Sequence, residues 1–194
     1  MRRLFIIAAS FLIPTTAFAH TGAMGHDLAH GFAHPLGGLD HVLAMVAVGT
    51  LAATLGGRAS WALPLSFVTM MVAGFALGML QLNLPLAEFA IVLSVIAIGG
   101  AIAWAGPLSL AAAMALVGAF AVFHGYAHGM EAPVSASALP YISGFVAATA
   151  LLHAAGLAGT LALLRLSKRH GHAIGRITGG AFVLGGLGLL LGWL

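Results

Sequence analysis

Residues 86–105 read LAEFAIVLSVIAIGGAIAWA. After Glu88 the run carries no charge, and its length matches the ~20 helical residues needed to cross ~30 Å of bilayer hydrocarbon. Five more stretches of the same character lie at 38–56, 60–80, 108–128, 138–166 and 174–193. Turn and breaker residues separate them: Gly56-Gly57, Asn83 with Pro85, Gly106-Pro107, Pro133 and a basic stretch at 167–172. Lipid offers a backbone amide no partner, so each span must pair its own groups, and the strict alternation of a barrel is absent. The sequence therefore predicts an all-α polytopic bundle of six transmembrane helices.

Composition agrees. Of 194 residues, 61% are hydrophobic and 6% charged, against roughly 45–50% and 25% in soluble domains. That balance excludes a soluble enzyme, a disordered tail and a nucleic-acid binder. Cysteine is absent, so any metal must be held by imidazole, carboxylate, backbone or thioether groups. The 27 glycines suit close helix packing in lipid, and GxxxG pairs occur at Gly74/Gly78, Gly175/Gly179 and Gly188/Gly192.

Residues 1–19 read as a signal peptide: Arg2 and Arg3, an apolar core from Leu4 to Ile13, and the cleavage pattern Ala17-Phe18-Ala19. Residues 20–194 then form one transmembrane domain with a periplasmic N-terminus, entered through a polar, non-spanning lead-in at 20–37. Six crossings from outside place Arg58, Arg165, Lys168, Arg169 and Arg176 on the cytoplasmic side, as the positive-inside bias requires. Asp27, Asp40, Glu88 and Glu131 fall on the outer side.

The chemistry lies in two histidine groups near that outer face. One is HDLAHGFAHPLGGLDH at 26–41 and the other HGYAHGME at 124–131. His124 and His128 are one helical turn apart, and Glu131 follows on the same face. In the first group Pro35 and Gly37-Gly38 break the lead-in. Asp40 lies in the first turn of the next helix, where the macrodipole favours an anion. Asp40 and His41 point about 100° apart on a regular helix, so they converge on one ion only at a distorted turn or at the helix mouth. His34, Asp40, His41, His124, His128 and Glu131 together make a nitrogen/oxygen ligand set suited to Ni(II), Co(II), Zn(II) or Cu(II), and ionisable groups in membrane spans are functional candidates by default. His20, His26 and His30 read as loose ion capture. His153, in the middle of its span, reads equally as a packing residue or a second station on a permeation path. His170 and His172 read as solvated loop residues.

Two motifs, His34-Pro35-Leu36-Gly37-Gly38-Leu39-Asp40-His41-Val42-Leu43-Ala44-Met45 and Phe123-His124-Gly125-Tyr126-Ala127-His128-Gly129-Met130-Glu131, resemble those of the HupE/UreJ membrane proteins. The resemblance covers essentially the whole chain. It implies a secondary nickel permease serving hydrogenase or urease maturation, with His34, Asp40, His41, His124, His128 and Glu131 as its metal residues. The expected partners are lipid and a divalent ion, with room for a homo-oligomer and for cytoplasmic nickel-accepting proteins. There is no Walker A motif, so uptake would be ATP-independent, and protonation of the histidines below about pH 6.5 would weaken capture. Three rivals stand beside this reading. One is a metal donor or sensor that does not transport. Another is a haem-bearing electron-transfer protein with His41, His124 or His153 as axial ligands. The last is a hydrolase using Ser143 and His153, which a regular helix holds about 15 Å apart.

Overall fold

A computed structural model describes residues 23–132, 138–166 and 171–194. Among them every regular element is helical: α1 (Ala23–Gly37), α2 (Leu39–Leu55), α3 (Ala59–Met79), α4 (Ala87–Trp104), α5 (Leu110–Glu131), α6 (Ala138–Leu166) and α7 (Gly171–Leu190). The expected signal peptide, together with His20, His170, Lys168 and Arg169, lies outside the described residues. The helices from α3 to α7 are each long and apolar enough to cross a membrane. α2, at 17 residues, is shorter, and it joins α1 in a pair bent by 84° at Gly38 that qualifies as one broken span. The chain is thus an all-helical, multi-pass bundle. The lead-in is itself helical, and Pro35 sits inside α1, not at the break; Gly38 alone makes the corner.

α2 is the central element. From Ala44 to Ala53 every residue but Val46 is buried, as expected for a helix apolar on all sides. It packs against α3, α4, α6 and α7. Large apolar side chains such as Trp61, Leu65, Leu151, Ile177 and Leu184 point outward, a surface that only lipid would tolerate at this extent. The turn from α2 to α3 uses Gly56 and Gly57 at φ +67° and +53°, a region where a side chain would be strained.

Glycine sets the helix spacing. α3 and α5 run parallel, and a Cβ on Gly74 would strike the Val122 carbonyl while one on Gly125 would strike that of Met71. Gly78 and Gly129 meet in the same way one turn further along. α4 and α7 cross at Gly99 and Gly179, α1 and α6 at Gly31 and Gly144, and α2 and α6 at Gly49 and Gly156. The Gly188/Gly192 pair makes no such crossing: Gly192 lies beyond α7, and Gly188 faces Leu194 of its own tail.

The pattern H-G-aromatic-A-H occurs at 30–34 and again at 124–128, each time at such a crossing. In each copy the glycine presses its backbone on a neighbour, Gly31 on Tyr141 and Gly125 on Met71. The flanking histidines, four residues apart, then share an adjacent face. Gly125→Ala must push α5 off α3, an overpacking cost of about 1–3 kcal/mol. Gly159→Ala, where nothing lies within 4 Å, is the matched control. Thermal unfolding in detergent should fall for the first and hold or rise for the second.

Candidate metal centre

Four helices converge beneath one end of the bundle. α1 brings His34, α2 brings Asp40 and His41, and α5 brings His124, His128 and Glu131. α6 closes the side with Tyr141 and Phe145, whose rings lie against His34 and His128 respectively.

The outer part holds His34, His128 and Glu131. One ligand atom from each lies within 4.8 Å of the others, and His34 Nε2 pairs with Glu131 Oε2. Three atoms bonded at ~2.0–2.2 Å to one ion lie roughly 3–4 Å apart, so this group needs to draw in by about 1 Å to form a coordination shell. His30 extends the group outward, with its ring 6.0 Å from that of His34.

The inner part holds His41, His124 and His128. The His41 ring centroid is 4.9 Å from those of His124 and His128, and His128 is also 4.9 Å from His34. His128 therefore belongs to both parts. The mouth is the exposed part: the Glu131 side chain is 56% exposed and His34 32%, against 13% for His41, while His128 and His124 are buried.

Hydrogen bonds fix which nitrogens are free. Asp40 Oδ1 accepts from the His41 backbone N–H at 2.7 Å and sits 2.9 Å from His41 Nδ1. A carboxylate there holds the proton on Nδ1 and leaves Nε2 as a lone-pair donor, an arrangement that orients and strengthens metal-binding imidazoles. Asp40 thus turns back on its neighbour, so the 100° between the two side chains is no obstacle. Gly38 makes the space: a Cβ there would lie 2.7 Å from Asp40 Oδ1 and 3.2 Å from His41 Nδ1. On the far side, Ser94 Oγ donates to the Ile91 carbonyl at 2.6 Å and so accepts from His124 Nε2 at 3.1 Å. The lone pair of His124 is then on Nδ1.

Those lone pairs have no protein partner. His41 Nε2, His124 Nδ1 and both nitrogens of His128 are buried without a hydrogen bond. A buried polar atom left unpaired costs about 1–3 kcal/mol, and native interiors hold few of them. A neutral His128 carries one N–H and one lone pair, so three lone pairs and one N–H lie unpartnered within one cluster, a donor set able to take a metal ion.

All six residues singled out from the sequence come together here, five through their ring or carboxylate atoms and Asp40 by holding His41. Sequence reasoning missed Ser94, Tyr141, Phe67 and Phe145. Ser94 had a signal, as a lone hydroxyl amid the apolar run of α4. The aromatics had none, because an aromatic residue in a membrane span is unremarkable until its neighbours are known. The rivals fare poorly. His41 and His124 are in T-shaped ring contact, which leaves no slot for a porphyrin between them. Ser143 is exposed and bonded to the Leu139 carbonyl, while His153 is buried.

Residues 8–189 match the family described as HupE / UreJ protein. The chain is also 43% identical over 184 residues to Protein HupE of Rhizobium leguminosarum bv. viciae, covering 95% of each sequence. This chain belongs to the HupE/UreJ family. HupE/UreJ proteins are accessory and transport proteins implicated in metal uptake for hydrogenase and urease, not enzymes. No solved structure matches the chain. The signature stretches of this HupE/UreJ protein, 34–41 and 124–131, are the segments that meet at the buried histidines.

Proposed function

We propose that this protein is an ATP-independent importer of a divalent transition-metal ion, Ni(II) first among them, across the bacterial inner membrane for metalloenzyme maturation. The observation that carries this reading is His128: one buried imidazole, unbonded at both nitrogens, shared between a partly exposed carboxylate-bearing mouth and a buried all-histidine set. Such a residue can take an ion from one set and pass it to the other. Family membership supports the same reading.

The ion is the cargo. Glu131 and His34 collect it at the mouth, the carboxylate replacing part of its hydration. His128, His41 and His124 then hold it in a water-poor pocket of neutral nitrogens. Imidazole and carboxylate suit Ni(II), Co(II), Zn(II) and Cu(II). With its arginines inside and acids outside, the mature N-terminus is periplasmic and transport runs inward. A membrane potential of 100 mV favours entry of a divalent cation by about 4.6 kcal/mol, twice the ~2.3 kcal/mol per unit charge. The exit side faces the cytoplasmic proteins that accept nickel. A donor or sensor would bind equally well without flux.

Uptake of radiolabelled Ni(II) into proteoliposomes, with Co(II), Zn(II) and Cu(II) as competitors, tests the proposal. Saturable uptake driven by an inside-negative potential is the expected result, and tight binding without uptake would convict the reading of error. Ser94→Ala should weaken Ni(II) binding about 10–100-fold, the usual effect of removing a group that orients a ligand, and should cost about 1–3 kcal/mol of stability by leaving the His124 Nε2–H unpaired. Calorimetry on purified protein checks it.

A further inference from the structure

The end of the bundle opposite the histidines holds a cation that the metal centre does not use. Arg58 stands at the turn from α2 to α3 and is exposed. All four acids, Asp27, Asp40, Glu88 and Glu131, belong to the histidine-bearing end, and among the described residues Arg58 has no carboxylate partner. α3 and α5 run parallel, so both begin at this end, at Ala59 and Leu110. The start of a helix carries a partial positive charge, which adds to that of the guanidinium.

Two hollows meet at Arg58. One, of about 350 Å³, is a groove between α3 and α5 that runs from Arg58 past Trp61 and Leu65 to Met70 and Met114. Trp61 and Leu65 are each 57% exposed, so the groove opens sideways, toward hydrocarbon. The other, of about 340 Å³, lies at the turn itself, with Gly56, Arg58 and Ala59 facing Leu108 and Leu110, and its only polar side chain is that of Arg58. Trp61, three residues on from Arg58, marks the depth at which indole rings settle among headgroups. The groove between α3 and α6 is a natural contrast. It measures about 380 Å³ and is lined by Pro64, Val68, Ala150 and Ala154 among others, none of them charged, and both ring nitrogens of His153 are buried. An acyl chain can lie there, but nothing selects its headgroup.

We propose that Arg58 and the α3–α5 groove form a binding site for one anionic phospholipid, with its phosphate on the guanidinium and one acyl chain along Trp61, Leu65 and Met70. A cation beside a pocket at the membrane edge, continuous with an apolar channel into the bilayer, matches the two halves of such an amphiphile. Basic pockets between spans recognise anionic headgroups, and the planar fork of arginine fits a phosphate through two parallel hydrogen bonds. A free phosphate would meet the same cation and leave the groove bare. The site is independent of the import reading.

Native mass spectrometry of the full-length protein tests this, after release from nanodiscs of equal phosphatidylglycerol and phosphatidylcholine with the same chains. Phosphatidylglycerol should be retained over phosphatidylcholine by at least about fivefold, the selectivity that one cation near a surface supplies. Arg58→Gln should bring that ratio to within about twofold of unity. Two substitutions at exposed positions separate the grooves. Thr69→Trp fills the α3–α5 groove and should remove the bound lipid, while Ala154→Trp fills the α3–α6 groove and should leave the retained phosphatidylglycerol in place. In detergent, phosphatidylglycerol should raise the melting temperature of the wild type but not of Arg58→Gln, and glycerol phosphate should raise neither. Equal retention of the two lipids, or a preference that survives Arg58→Gln, overturns the site. So does equal protection by glycerol phosphate, which would make Arg58 a free-anion site, or a dimer lost in Thr69→Trp, which would assign the groove to a second copy of the chain.

Discussion

Replacing His128 by leucine should abolish Ni(II) uptake and weaken Ni(II) binding by more than about 100-fold. Removing a group that merely orients a ligand costs about 10–100-fold, and His128 is placed to be a ligand in both parts of the site. Its ring lies 4.9 Å from His34 and 4.9 Å from His41. Without it His34 and Glu131 still satisfy each other at the mouth, and His41 and His124 still touch below, but nothing links the pairs. The variant should fold. Leucine fills much of the space against Phe145 and removes two unpaired nitrogens from the interior, so the melting temperature should hold or rise. A protein that becomes more stable as it loses its metal would mark His128 as a residue kept for function. Isothermal titration and melting curves on the same sample supply both numbers.

Asp40→Asn should weaken binding about 10–100-fold although it changes no shape. The carboxylate can only accept, so it keeps the His41 proton on Nδ1 and the lone pair on Nε2. An amide in its place can present its NH₂ to Nδ1. The ring proton then moves to Nε2, the atom that faces His124 and His128, and the ligand is lost. Charge acts in the same direction, because a divalent ion among neutral imidazoles needs a nearby anion once water is stripped away. His41→Ala should cost at least as much. If Asp40→Asn binds as the wild type does, the tautomer argument fails and Asp40 is only a cap on the first turn of α2. Titration of Ni(II) into both variants distinguishes these outcomes.

Much of this was legible in the sequence because lipid is a demanding solvent. It forces each span to be a long apolar helix, so the ranges read from hydropathy fall within a few residues of those observed, and it makes each buried ionisable residue conspicuous. The pattern of small residues was informative in kind, but which pairs meet was not: Gly74 and Gly78 work against Gly125 and Gly129, while Gly192 falls outside any helix. Register between distant helices is decided by interlocking surfaces that no local window contains. For the same reason the roles inside the site were hidden. Asp40 was a candidate ligand by type, and only the bend at Gly38 turns it toward His41. Ser94 and Phe67 became meaningful once His124 was seen to lie between them.

The account depends on one ion being held jointly by the α1–α2 corner and by α5. X-ray absorption at the nickel edge, on purified protein loaded with one equivalent, addresses that directly. The expected spectrum fits at least three imidazoles per nickel, with one fewer in His41→Ala and one fewer in His128→Leu. A spectrum fitted by water and carboxylate oxygens, or one that neither substitution alters, would contradict it.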